Sequence, residues 1–229
     1  ENAALPLSKN KRYLVIGDLF RFMRYQGSGS SLINPAFLRT PEDQFRQQGV
    51  DYDYIRGYRE SEIDLETEYL NEALEKAKDA ENILLFLGQT DYVESEGFDR
   101  ESMTLPKNQL ALIKEVIKLG KRPIVVLFGG SPVELPFADD CVAILNMMLP
   151  GQMGGEATYK LLFGEENPSG KLAETWPLRY KDVPYGDSFS KNPLEFYRES
   201  IFVGYRYYET VNKEVRFPFG HGLSYTNFS

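Results

Sequence analysis

Four short runs in the first two-thirds of the chain are apolar almost throughout: Tyr13-Leu-Val-Ile16, Ile83-Leu-Leu-Phe-Leu87, Pro123-Ile-Val-Val-Leu-Phe128 and Cys141-Val-Ala-Ile-Leu145. A strand with one wet face alternates apolar and polar residues. A strand enclosed on both faces does not, and that pattern belongs to parallel sheets. Parallel neighbours need a long crossover, usually a helix, and helix-like segments lie between these runs. The expectation is an α/β fold: a largely parallel sheet flanked by helices on both faces, a three-layer sandwich.

The connecting segments read as follows. A helix is expected after Pro35, since proline favours the first helical turn. Asp51 to Ile55 is a weaker strand after Gly49. Ser61 to Lys78 reads as a long helix, with Ser61 and Asp64 resembling a capped start. A helix from Pro106 to Lys118 presents Leu110, Ile113, Val116 and Ile117 at helical spacing. Glu134 to Asp140 reads as a short helix, and Gly154 to Phe163 as a helix stopped by Gly164. From Glu165 onward the chain is rich in proline, glycine and aromatics, with a strand-like run at Ile201–Tyr208. It lacks an amphipathic set of its own, so residues 1–229 are expected to form a single domain with this aromatic-rich C-terminal tail wrapping the sheet. Tyr205, Arg206, Tyr207, Tyr208, Phe217, Phe219 and Tyr225 read as packing that ties the tail down.

Composition removes several functions. At 229 residues and 42% hydrophobic content the chain is ordinary globular material. A net charge of −8 argues against a nucleic-acid or anionic-membrane partner. The single cysteine, Cys141, excludes an internal disulfide framework, and its apolar surroundings mark a buried inert thiol. No run approaches the roughly 18 apolar residues that span a bilayer. The polar opening Glu1-Asn-Ala-Ala, without Met, reads as a piece of a longer polypeptide and leaves location open, the cytoplasm favoured and periplasm or secretion the alternatives.

The segment richest in chemistry is Tyr92-Val-Glu94-Ser-Glu96-Gly-Phe-Asp99-Arg100. It leaves the C-terminal end of the Ile83–Leu87 run, the edge at which open α/β sheets bind ligands. Crowded carboxylates with one arginine tune one another, and a tuned carboxylic acid is what glycoside hydrolysis uses as proton donor. A solvated acidic loop with a surface ion pair is the competing reading. Gly27-Ser-Gly-Ser-Ser31 invites a phosphate reading, but it starts ten residues after Gly17, lacks the third glycine of the dinucleotide fingerprint, and has no Gly-Lys-Ser/Thr ending. It closes a turn or approaches a neutral polyol such as a sugar. Gly154 and Gly155, at a helix start, read as sites of close backbone packing. His221 is the sole histidine, and no Gly-x-Ser-x-Gly elbow accompanies it, so it is not assigned a catalytic role. No metal and no cofactor are expected: there is neither a second His nor a Cys pair, and the acidic loop lacks calcium-loop spacing.

Taken together, several stretches resemble the C-terminal α/β domain of glycoside hydrolase family 3, the β-glucosidase type. They are Gly27–Ser31, Glu94-Ser-Glu-Gly-Phe-Asp-Arg100, Leu105-Pro-Lys-Asn-Gln109, Gly151-Gln-Met-Gly-Gly155, Leu162-Phe-Gly164 with Asn167-Pro-Ser-Gly-Lys171, Thr175-Trp-Pro177, Val203-Gly-Tyr-Arg-Tyr-Tyr208 and Phe217-Pro-Phe-Gly-His-Gly-Leu-Ser-Tyr225. Their order and spacing run nearly the full length of the chain. Met153 departs from the pattern, where a glutamate is common.

The resemblance implies a flavodoxin-like three-layer sandwich within a retaining exo-β-glycosidase that releases terminal β-D-glucosyl residues. It implies an aspartate nucleophile on an N-terminal (β/α)8 barrel outside this chain, and an acid/base glutamate inside it. Glu96 is the first choice for that glutamate and Glu94 the second, with Gly27, Ser28, Gly29, Ser30 and Ser31 near the mouth of the sugar site and Asp99 and Arg100 structuring the loop. Expected partners are a β-glucoside or oligosaccharide substrate, the barrel of the same protein, and a second copy in a homodimer. A β-xylosidase specificity, a non-catalytic sugar-binding or barrel-supporting domain, and an independent nucleotide binder are the alternatives.

Overall fold

Three of the apolar runs, Tyr13–Ile16, Ile83–Leu87 and Ile124–Phe128, become strands buried almost throughout, while the fourth, at Cys141–Leu145, enters an edge strand that is only partly buried. The computed structural model describes residues 4–188, 191, 193, 194 and 196–226; residues 1–3, part of the polar opening, lie outside them. Strands β1 (Tyr13–Ile16), β2 (Tyr52–Ile55), β3 (Ile83–Gly88), β4 (Ile124–Phe128) and β5 (Ala143–Met148) form one sheet in the order β2-β1-β3-β4-β5. Every pairing is parallel. All six residues of β3, the central strand, are buried, which accounts for its unbroken apolar sequence. Helices α1 (Pro41–Gln47) and α4 (Gly154–Leu162) pack together, as do α2 (Thr67–Asp79) and α3 (Lys107–Lys118). One pair covers each face, as expected.

The described residues gather into two compact units. The first comprises Glu1–Arg100, Leu105–Ser131 and Phe137–Asn167 and contains the whole parallel sheet. Phe20 and Phe45 meet edge to face at 5.1 Å, and Phe20 meets Phe86 at 4.9 Å. Such ring pairs contribute about 0.5–1.5 kcal/mol each beyond their buried area. Cys141 is buried here, and burial pushes its thiol up to about 12, in keeping with an inert role. The second unit comprises Glu101–Thr104, Pro132–Pro136 and Pro168–Ser229. In it β6 (Trp176–Pro177) pairs antiparallel with β7 (Val215–Phe217). Glu134 links the three pieces: its N–H donates to the Met103 carbonyl at 2.8 Å, and its carboxylate accepts from the Tyr180 N–H at 2.8 Å.

Several boundaries differ from the sequence reading, each for a local reason. The first helix starts at Pro41, not after Pro35, because Thr40 and Asp43 form a reciprocal capping box around it. The second starts at Thr67, six residues beyond Ser61. The stretch between is held by α3: the Asn108 side-chain amide donates to the Glu62 carbonyl at 2.7 Å, and the Asn108 N–H to the Ile63 carbonyl at 3.2 Å. Along α3 the inward face is Asn108, Gln109, Leu112, Ile113 and Val116, while Leu110 and Ile117 are only partly buried. Gln109 takes an interior place because its amide closes both ways on Gly88, accepting from its N–H at 2.8 Å and donating to its carbonyl at 2.9 Å. Pro136 interrupts the helix expected at Glu134–Asp140, leaving a 3-10 turn at Ala138–Asp140. The run expected as a strand at Ile201–Tyr208 ends in a helix, α5 (Tyr205–Thr210). Its aromatics fall three apart: Tyr208 is buried and Tyr205 stacks on Phe219 at 4.9 Å.

The glycine pair at the start of α4 is packing, as read from the sequence. The Gly155 N–H donates to the Arg39 carbonyl at 2.9 Å. A Cβ on Gly155 would lie 2.2 Å from the Thr40 carbonyl carbon and oxygen, so any side chain there would push the backbone of the α1 cap aside.

Candidate active site

The sheet order reverses direction between β1 and β3. In doubly wound sheets that switch point opens a crevice outside the carboxyl ends of the strands. Three loops leave the sheet at that edge: Gly17 onward after β1, Gln89 onward after β3, and Gly129-Gly130-Ser131 after β4. Between them they hold every site residue named from the sequence.

The loop after β3 starts with a tight turn, in which the Thr90 carbonyl accepts from the Val93 and Glu94 N–H groups, both at 3.0 Å. This aims Glu94 inward, to 15% side-chain exposure. Its carboxylate accepts from the Gly130 N–H at 2.8 Å and from the Ser131 hydroxyl. Two guanidinium groups flank it, Arg24 at 3.4 Å and Arg100 at 3.6 Å. Arg100 also donates to Ser131. Burial lowers the Arg100 pKa, against the opposing pull of the Glu94 charge. Glu94 is thus a carboxylate fully engaged by donors.

Glu96 faces the other way and is exposed. Its Oε2 accepts from the Ser30 N–H at 2.7 Å and from the Ser30 hydroxyl. The fold therefore brings the two sequence-separated motifs, the acidic loop and Gly27–Ser31, into direct contact. Gly29 makes the approach feasible: its φ is +78°, and a Cβ there would sit 2.6 Å from the Glu96 carboxylate oxygen. A second link joins the same loops, where the Ser28 hydroxyl donates to Asp91 at 2.6 Å. Gly27 and Ser31 complete the turn, with the Ser31 hydroxyl donating to the Ser28 carbonyl at 3.2 Å. Asp99 stands exposed, outside this network.

The Ser30 hydrogen bonds hold the Glu96 carboxyl below the ordinary carboxylate range. A group whose folded pKa is depressed stabilises the fold above its unfolded pKa, and that contribution is lost as pH falls through the folded value. Ser30→Ala removes the larger of the two causes. The Glu96 midpoint is expected to rise toward the ordinary value in a side-chain carboxyl NMR titration. A midpoint that does not move would show that Ser30 is not the cause.

Residues outside the sequence-derived set also belong to this edge. Arg24 is buried and pairs with Asp91 while donating to the Glu94 carbonyl oxygen at 2.7 Å. Asp18, buried at the end of β1, accepts from the Tyr54 hydroxyl at 3.0 Å and the Glu60 N–H at 3.2 Å, and pairs with Arg56 at 3.2 Å. The Glu60 carboxyl is raised by burial first, then by the charges of Asp18 and Asp91. No motif announces these groups; only the pairing of distant segments does. Among the described residues no cluster of three or more His, Cys, Asp or Glu side chains is arranged to hold a metal ion. His221 lies in the second unit, where its ring stacks on Phe217 at 4.7 Å.

Comparison with known proteins gives the family and the fold. The model of the glycosyl hydrolase family 3 C-terminal domain matches residues 1–225. A thermostable β-glucosidase B of Acetivibrio thermocellus is 43% identical over 232 residues, covering 100% of this chain and 31% of that protein. An exo-α-(1→6)-L-arabinopyranosidase of Bifidobacterium longum is 40% identical over 233 residues, covering 98% of this chain and 30% of that protein. The crystal structure of the Bifidobacterium adolescentis family 3 β-glucosidase superposes with a TM-score of 0.88 at 41% identity, over 97% of this chain and 33% of that one. The chain thus spans about a third of the length of these relatives. By the match of residues 1–225 and the shared fold, the chain belongs to glycoside hydrolase family 3, whose C-terminal domain it represents.

Proposed function

We propose that residues 1–229 act as one domain of a retaining exo-β-glycosidase and supply its general acid/base, with Glu96 in that role. The aspartate nucleophile belongs, in this reading, to an N-terminal (β/α)8 barrel of the full-length enzyme. The observation that carries the reading is the Glu96–Ser30 contact, which presents an exposed carboxyl at the ligand edge of the sheet beside a loop of small hydroxylic residues. Glu94 suits the role less well, because its oxygens are occupied by Gly130, Ser131 and two arginines.

The chemistry has two steps. The nucleophile attacks the anomeric carbon while Glu96 gives its proton to the departing glycosidic oxygen. Glu96 then takes a proton from the water that hydrolyses the glycosyl-enzyme. Donation requires a protonated carboxyl, yet Ser30 alone holds Glu96 low. A nucleophile carboxylate about 5–5.5 Å away raises it, since like charges disfavour a second ionisation. The acid is therefore competent only with the barrel in place. The isolated 229-residue chain is expected to fold and to give no turnover of a 4-nitrophenyl β-glucoside, whereas the full-length enzyme hydrolyses it. Turnover by the isolated chain that disappears in Glu96→Gln would overturn the proposal.

A terminal β-D-glucosyl residue is the substrate that the Acetivibrio relative supports. The arabinopyranosidase name of the Bifidobacterium relative supports a pentopyranoside as the second reading. Comparing kcat/KM of the full-length enzyme on aryl β-D-glucoside, β-D-xyloside and α-L-arabinopyranoside separates them.

A further inference from the structure

A buried guanidinium is expensive to keep, since it leaves water and needs partners for its charge. Arg24 is such a group: its side chain is 5% exposed, both terminal nitrogens are engaged, and its Nε has no hydrogen-bond partner. Its partners both lie on the loop after β3, 67 and 70 positions away. One guanidinium nitrogen pairs with the Asp91 carboxylate; the other donates to the Glu94 main-chain carbonyl at 2.7 Å and lies 3.4 Å from the Glu94 carboxylate. The rigid planar fork thus joins Asp91 and Glu94, both within the turn closed by the Thr90 carbonyl. Asp91 also accepts from Ser28 at 2.6 Å.

This places two anchors around one contact. Glu96 follows Glu94 by two residues, and Ser30 follows Ser28 by two residues. Both ends of the Glu96–Ser30 hydrogen bond are therefore fixed two positions upstream, one directly by Arg24 and the other through Asp91. A lysine carries the charge but not the fork, and cannot hold an acid and a carbonyl at a set separation.

We propose that Arg24 is a positioning residue that holds the Glu96 carboxyl at the distance proton transfer needs. The proposal rests on the reading of Glu96 as the acid/base. In this proposal Arg24, buried behind the loop, acts through Asp91 and Glu94 and not by contact with the reacting atoms.

The test measures how the loss of activity depends on the leaving group. A departing phenol of low pKa needs no proton, so a displaced acid leaves kcat/KM for a 2,4-dinitrophenyl glucoside intact and lowers it for a phenyl glucoside. A fold that is merely weakened lowers both alike. Arg24→Lys and Arg24→Gln are compared with Glu96→Ala in the full-length enzyme. An ångström of misplacement costs about 10²-fold, so both Arg24 variants are expected to lose about that factor on the phenyl substrate and to stay within about threefold on the dinitrophenyl one. If Arg24→Gln does not fold, Arg24→Lys decides. Equal losses on both substrates, or no loss, while Glu96→Ala discriminates between them, would overturn the role of Arg24. A Glu96→Ala variant that does not discriminate would instead remove the acid/base reading.

Discussion

Glu96→Ala in the full-length enzyme is expected to lower kcat/KM for a phenyl β-glucoside by about 10²–10⁴-fold, the range that a positioned general acid supplies. With a 2,4-dinitrophenyl leaving group the same variant is expected to keep kcat/KM, because glycosylation no longer needs the proton. Its kcat still falls, since the second step lacks a base, and the glycosyl-enzyme accumulates. Azide needs no base and is expected to restore kcat, yielding the glycosyl azide with retained configuration. The geometry behind this is the exposed Glu96 carboxyl held by Ser30 at the carboxyl edge of the sheet. If Glu94→Ala shows this leaving-group signature and Glu96→Ala does not, the acid/base role belongs to Glu94.

Glu94→Ala is expected to act on stability instead. The substitution withdraws the acceptor of the Gly130 N–H and the Ser131 hydroxyl, and the countercharge that Arg24 and Arg100 share. Breaking a buried pair from one side costs about 3–5 kcal/mol. Arg24 keeps Asp91 as a partner and Glu94 is 15% exposed, so the low end, about 3 kcal/mol, is expected. Urea unfolding of the 229-residue chain measures it, and a loss below about 1 kcal/mol, the worth of an exposed pair, would show that the ring contributes little. The two neighbouring glutamates are thus separable: one variant unfolds more easily, the other folds normally and loses proton transfer.

The inner strands were legible because burial on both faces leaves no room for a polar residue, whereas the edge strands, with exposed Asp53 and part-buried Asn146, carry a weaker signal. Helix limits were less so. Ser61 and Asp64 are the right residue types for a cap, but Asn108 of another helix occupies the backbone beside them. A helical wheel places Gln109 outside, since nothing local shows that its amide will close on Gly88 at the end of β3. Within the site, the acidic loop and the Gly27–Ser31 turn could be named from their own composition, whereas their contact could not. Arg24 carried no signal at all: an arginine in Arg21-Phe-Met-Arg24 acquires its role only from residues 67 and 70 positions later.

The ring around Glu94 draws on residue 24 after β1, residues 94 and 100 after β3, and residues 130 and 131 after β4. These segments cannot all meet until three parallel strands have paired, and each pairing closes a long loop at an entropic cost. The complete constellation therefore requires β1, β3 and β4 together. A chain with β1 and β3 paired but β4 absent holds the Arg24 contacts to Asp91 and Glu94 and lacks the Gly130 and Ser131 donors.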